Sequence, residues 1–185
     1  GAAITLSGTS ITTSSTLAEG ANNLTFISNA LTLGGSFSAS GSSVLTIQPK
    51  TAGTTIGLGD SATCGGTCSL KLTDTQLGYL TGSGISGLVV GDIGAGTGAI
   101  EYNTASNQTF GSALTIQSKT GTITVSDPLN TGTKDLTISS GGAVSLTTIT
   151  AAGNLSVTGT GITLNGSVTT SGTQSYTGAL TVGAA

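Results

Sequence analysis

Fifteen times along the chain, two apolar residues flank a single intervening residue, most often Thr or Ser. The pairs are Ile4/Leu6, Leu24/Phe26, Leu31/Leu33, Leu45/Ile47, Ile56/Leu58, Leu70/Leu72, Leu88/Val90 and Ile100/Tyr102. They continue as Leu114/Ile116, Ile123/Val125, Leu136/Ile138, Val144/Leu146, Leu155/Val157, Ile162/Leu164 and Leu180/Val182. Side chains alternate across a strand, so each pair presents two apolar groups on one face and the Thr or Ser on the other. Turn-forming dipeptides such as Thr-Gly, Gly-Gly, Asn-Gly and Ser-Gly lie between the pairs. Such short strands cannot cover their own apolar face and must stack on neighbours.

The pairs are themselves periodic. Taking alternate pairs from Leu114 gives steps of 22 (Leu114 to Leu136), 21 (Ile123 to Val144), 19 (Leu136 to Leu155) and 18 (Val144 to Ile162). Near the start, Ile4 to Leu24 is 20 and Leu24 to Leu45 is 21. A drifting period near twenty, with two or three short strands per turn, predicts an all-β chain wound as a parallel β-helix. A sandwich would need longer strands at regular spacing and more aromatic residues, whereas the chain has three Phe, three Tyr and no Trp. Stacked coils would bury one continuous Leu/Ile/Val column. About nine coils at the ~4.8 Å strand spacing would make a rod about 40 Å long, a single domain over residues 1–185.

Residues 60–92 break the rhythm. They hold CGGTC and then LKLTDTQLGYLTGSGISGLVVGD. Thr73 and Gln76 have capping-box spacing, and Leu77 and Leu80 lie one turn apart, which predicts a short helical turn near 74–80 packed on an edge of the coil.

Half the chain is Gly, Ser or Thr, and only 6% is charged, against about 25% in an ordinary globular domain. That balance would suit a disordered linker, but the alternation of β-branched residues and Leu argues for a packed chain. The four basic residues are Lys50, Lys71, Lys119 and Lys134, the seven acids are Glu19, Asp60, Asp74, Asp92, Glu101, Asp127 and Asp135, and Arg and His are absent. With a net charge of −3 and no basic stripe, nucleic acid is a poor partner. No run of 18 apolar residues is available for a transmembrane helix. The sequence opens on GAAITL and closes on ALTVGAA, both in repeat text, and reads as a piece of something longer.

Cys64 and Cys68 are the only cysteines. Zinc takes four Cys, His or carboxylate ligands, and no other Cys and no His accompany them. A redox motif would be C-x-x-C beside a βαβ pattern. The expectation is a structural disulfide closing a Gly-rich loop, contributing about 2 kcal/mol and pointing to an oxidising compartment outside the cytoplasm.

The stretches ITLNGSVTTSGTQSYTGALTV (162–182) and LTIQPKTAGTTIGLGD (45–60), the latter followed by LKLTDTQLGYLTGSGISGLVVGD (70–92), resemble repeat units of filamentous-haemagglutinin-like exoproteins. These are large adhesins of Gram-negative bacteria exported by two-partner secretion. The resemblance implies a right-handed β-helix, export to the outer cell surface, and a role in adhesion, biofilm formation or contact-dependent competition. It implies host or cell-surface glycans or proteins as ligands. The repeats serve as shaft, so the resemblance transfers no binding residue; the family's secretion domain is not in this sequence, and the cysteine pair is unusual for it.

Other chemistries have little to build on. Polysaccharide-acting β-helix enzymes gather carboxylates with Arg or Lys, whereas here the acids are scattered, with Asp92 and Glu101 the pair that coiling would bring near. The calcium-binding nonapeptide is absent, and Asp60 reads as a turn former. Thr-x-Thr occurs at 73–75, 122–124, 131–133 and 148–150, but not at one-coil spacing, as an ice-binding face needs. GDIGAGTG (91–98) lacks the Lys and helix of a phosphate loop. Asn23, Asn107, Asn154 and Asn165 begin Asn-x-Ser/Thr sequons. The reading is a non-catalytic module without cofactor or metal. No Pro or charge cluster blunts either end of the sequence, so the end strands are expected to pair with covalent neighbouring coils or like subunits, ALTVGAA meeting GAAITLSGT.

Overall fold

In the computed structural model, which describes residues 3–40, 42–81 and 84–183, the chain winds into a β-solenoid of about nine turns, about 20 residues apart, with one short helix. The first face stacks Ile4–Ser7, Leu24–Ile27, Val44–Gln48, Gly87–Asp92, Ala113–Ser118 and Leu136–Ser140, then the starts of Leu155–Leu164 and Gln174–Val182. All of these pair in parallel. The register is strict. Ile4, Leu24, Leu45, Leu88, Leu114, Leu136 and Leu155 form one column, and Leu6, Phe26, Ile47, Val90, Ile116, Ile138 and Val157 form the next. A slip by one residue would turn every apolar group outward.

The second face runs through Ser10–Thr13, Ala30–Leu33, Leu70–Leu72, Ile56–Leu58, Ile100–Tyr102, Ile123–Val125 and Val144–Leu146. It finishes on the ends of the two long strands. Long strands at the last two coils reach from the first face to the second, with a register shift between Thr158 and Gly161.

A third face is narrower. Leu17–Gly20 pairs with Phe37–Ala39 and Leu129–Asn130 with Ile149–Ala151, with bridges from Thr109 to Asn130 and Ile149 to Val168. Its inward residues, among them Phe37, Phe110, Leu129 and Ile149, close the core.

Thirteen of the fifteen apolar pairs are buried; the first and last are exposed. Corner polarity is handled by small hydroxyls. Ser118 Oγ donates to the carbonyl of Gly96 (2.9 Å) and accepts from Gly121 N–H (3.0 Å), and one coil on Ser140 Oγ donates to Gly121 O and accepts from Gly142 N–H. These serines satisfy backbone groups that the bend takes out of the ladders.

The break in rhythm has a definite form. After Ile56–Leu58 the chain leaves the second face, loops through residues 59–69, and returns as Leu70–Leu72, parallel to and beside the strand it left. One coil thus contributes two rows to the second face, and Leu70/Leu72 is an inserted row, not a coil of its own. The helix spans Asp74–Thr81, with Gln76 Oε1 accepting from Thr73 N–H (3.0 Å) and Gln76 N–H donating to Thr73 Oγ1 (3.3 Å). This is the capping box that the spacing predicts. Leu77 and Leu80 are fully buried, so the helix is built into the core more deeply than an edge-packed turn. Gly111 N–H donates to Thr81 O, and Gly84 lies against the Ala39 carbonyl, placing the helix between Phe37–Ala39 and the next third-face row.

Candidate functional site: the cysteine loop and the two ends

Two features set themselves apart from the repeating shaft. The first is the loop at 59–69. Gly59 enters it at φ +111°, a conformation that favours glycine, with its missing Cβ aimed at the Asn103 carbonyl. Cys64 and Cys68 are bonded, with Cα atoms 5.2 Å apart. The loop lies on the outside of the second face, where Gly57 makes room for it: a Cβ there would sit 2.5 Å from Cys68 Sγ and 3.2 Å from Ala62 Cβ.

Glu101, on the adjacent strand, fastens the loop. Its Oε2 accepts from the backbone N–H groups of Thr63 (2.9 Å) and Cys64 and from Thr63 Oγ1 (3.4 Å), while Oε1 accepts from Asn103 Nδ2 (3.2 Å). Partial burial alone would raise the pKa of this carboxyl, yet the amide donors of Cys64 and Thr63 outweigh it and hold the group below its ordinary 4.5. Lys71 Nζ donates to the carbonyls of Asp60 (2.8 Å) and Ala62 (3.0 Å) at the loop's base. An open pocket of about 310 Å³ lies beside the loop, lined by Thr63, Cys64, Gly65, Ile100, Glu101 and Thr124 among others. One carboxylate oxygen of Glu101 and the two sulfurs all lie within 4.8 Å of one another.

Sequence reasoning misses Glu101 as a partner of the cysteines because 33 residues separate it from Cys68; only the fold brings the two strands together. Asp92 and Glu101 do not form a pair: Asp92 accepts from Gly94 N–H (2.7 Å) in its own turn. The acids that do meet are Asp60 and Asp74. Asp60 N–H donates to Asp74 Oδ1 (2.9 Å), Asp74 N–H to Asp60 Oδ2 (3.3 Å), and Asp74 Oδ2 also accepts from the N–H groups of Ala105 (2.8 Å) and Ser106 (3.0 Å). Both carboxylates are tied to backbone amides, a structural use.

The second feature is the pair of rod ends. Ile4 and Leu6 are 37% and 40% exposed at one end, and Leu180 and Val182 are 44% and 71% exposed at the other. The last first-face row differs from the apolar end expected: Gln174 and Tyr176 stand in the columns of Leu155 and Val157, and Tyr176 Oη donates to Gln174 Oε1 (2.8 Å). Polarity therefore enters the first face at that end, while the second face stays apolar. Of the terminal segments expected to pair, Gly1, Ala2, Ala184 and Ala185 lie outside the described residues.

Outward positions carry their own register. Thr5, Thr25, Thr46, Thr115 and Thr137 form a rank along the first face, interrupted at Val89 and continued by Ser156 and Ser175. A search for Thr-x-Thr misses it because the rank repeats by coil, not within a strand. Three sequon side chains are engaged between coils: Asn23 Oδ1 by Val44 N–H, Asn154 by Asp135 and Thr173, and Asn165 Nδ2 by Ser145 Oγ. Asn107 is exposed. Among the described residues no helix is long and apolar enough to cross a membrane.

The class these features define is a parallel β-solenoid with a loop stapled to one face. No family model, curated protein or solved structure matches the chain.

Proposed function

We propose that the chain is a non-catalytic rod segment of a secreted bacterial surface fibre or exoprotein, of the filamentous-haemagglutinin-like kind, that spans distance and adheres at the outer surface of a Gram-negative cell. One observation carries the reading: apolar columns fill the solenoid, and apolar residues stay uncovered at both ends, Ile4 and Leu6 on the first face at one and Leu180 and Val182 on the second face at the other. Unpaired sheet edges over an open core recruit further strands. Further coils, covalent or from a second copy, complete those ends. The outward threonine rank, interrupted at Val89, gives the shaft a hydroxyl-bearing face suited to hydrogen bonding with glycans. The Cys64–Cys68 bond suits export to an oxidising compartment.

The faces determine how ends meet. Ile4–Ser7 lies on the first face and Ala179–Val182 on the second, so an in-register head-to-tail stack would not set these two segments against each other. Translation along the axis instead sets Gln174/Tyr176 over Ile4/Leu6, and Leu180/Val182 over Ile11/Thr13. A homopolymeric filament of identical units is the second reading, favoured by the way both ends offer rows of the same two faces. Electron microscopy of the purified chain over a concentration series tests the proposal. The expected images are rods of one width whose length grows with concentration; isolated particles one chain long at every concentration would overturn it.

A further inference from the structure

Beside the cysteine loop a pocket of about 310 Å³ opens on the second face. Its floor is the outward side of two neighbouring rows. Ala99 and Glu101 lie in one and Thr122 and Thr124 in the next, with Glu101 beside Thr124 in the ladder. Thr63 and Gly65 of the loop form the wall, and Glu101 ties that wall to the floor through the Thr63 and Cys64 amides. The disulfide and these bonds preform the pocket, so a ligand need not order it. We propose that the pocket binds one neutral hexopyranose ring, as a unit of a surface glycan.

The polar groups of the floor fit a ring that bears hydroxyls. Among the described residues the hydroxyls of Thr122 and Thr124 have no protein partner, whereas the corner serines give theirs to backbone carbonyls. Each free hydroxyl can donate one hydrogen bond and accept another. Glu101 Oε2 is filled by the loop, but Oε1 accepts from Asn103 Nδ2 alone (3.2 Å) and keeps a second acceptor position. Hydrogen bonds from hydroxyls to a carboxylate are among the stronger ones. The Ala99 methyl and the Cys64 sulfur add apolar contact for the C–H side of the ring. The volume stands at the low end for small-ligand clefts, room for one ring and not for a chain.

Charge sets the class of sugar. Among the lining residues Glu101 is the one that carries a charge, and Lys71 is turned to the Asp60 and Ala62 carbonyls at the loop's base. An acidic sugar, a sulfate or a phosphate would meet no cation in the lining and would be repelled by Glu101. From Thr124 the outward rank continues as Ser145, Thr163 and Thr181, so the rest of a glycan leaves the pocket over hydroxyls and not over charges.

This assignment rests on the chain's being an adhesive shaft, but rod growth judges the shaft and sugar titration judges the pocket, so the two fail separately. Glucose, galactose, mannose and glucuronate are titrated into the full chain, with saturation transfer read on the sugar and amide shifts on the protein. At least one neutral sugar should bind in the millimolar range and move the Thr63, Gly65, Thr122 and Thr124 amides, while glucuronate binds several-fold more weakly than glucose. Thr122→Val/Thr124→Val removes both hydroxyls at nearly constant shape. It should weaken the same sugar at least about ten-fold and leave the circular dichroism unchanged. An oligosaccharide of the bound sugar should bind more tightly than the single ring, through contacts along the rank. Neutral sugars that leave those amides unmoved, glucuronate bound as well as glucose, or a double variant that binds like the parent would overturn the proposal. An oligosaccharide that gains nothing over the single ring would overturn the assignment to a glycan.

Discussion

Ile138 has no exposed surface and sits mid-column between Ile116 and Val157. Among the described residues no lysine is buried, so a carboxylate placed in the core columns has no partner. Ile138→Asp should cost about 3–5 kcal/mol, read as a fall in the denaturant midpoint. Tyr102 poses the opposite case. It is 1% exposed, its hydroxyl finds no hydrogen-bond partner among the described residues, and burial pushes its pKa above the ordinary 10.0. Removing an unsatisfied buried hydroxyl is neutral or favourable, so Tyr102→Phe should hold or raise the melting temperature, by the equivalent of up to about 1 kcal/mol. Glu101 gives a pH dependence. Its folded pKa lies below the ordinary 4.5, so its contribution is fully present above pH 4.5 and is lost as pH falls from there through the lowered value. Hydrogen exchange at the Thr63 and Cys64 amides should accelerate over that acidic window, beyond the intrinsic pH trend, in the parent but not in Glu101→Gln.

Among the elements, the helix Asp74–Thr81 is the most exposed to a single change. Thr73 Oγ1 and the Gln76 side chain satisfy each other's backbone N–H at its start. Thr73→Ala should destabilise by about 0.5–2 kcal/mol, seen as a lower thermal midpoint. Strands and helix differ in how they announce themselves. The first two faces were legible because each strand carries an apolar pair at i and i+2, and the helix because its cap and its Leu77/Leu80 spacing are local. The third face was not, since strands such as Leu129–Asn130 present one inward residue and produce no periodicity of their own. Leu70/Leu72 carries the same apolar pattern inside the stretch that breaks the rhythm; only pairing reveals it as an inserted row beside Ile56–Leu58. The meeting of Glu101 with the cysteine loop likewise depends on which strands neighbour each other, which a drifting period leaves open.

For the whole molecule, the consequence of stacking is that interior coils are covered by their neighbours and the outermost are not. The end rows differ in chemistry: Gln174 and Tyr176 are polar on the first face, and Leu180 and Val182 are apolar on the second. The apolar half should therefore dominate any end-to-end contact, over a ladder with little charge across it. Because Leu180 and Val182 are already exposed, lysines there should leave the fold intact while blunting the edge, as natural edge strands do. Sedimentation velocity on the parent chain and on Leu180→Lys/Val182→Lys, across a range of concentrations, addresses this directly. The parent should form a concentration-dependent linear series of oligomers, and the doubly substituted chain should run as a monomer with unchanged circular dichroism. A parent chain that stays monodisperse and monomeric at high concentration, or an oligomer series indifferent to the two lysines, would contradict the account.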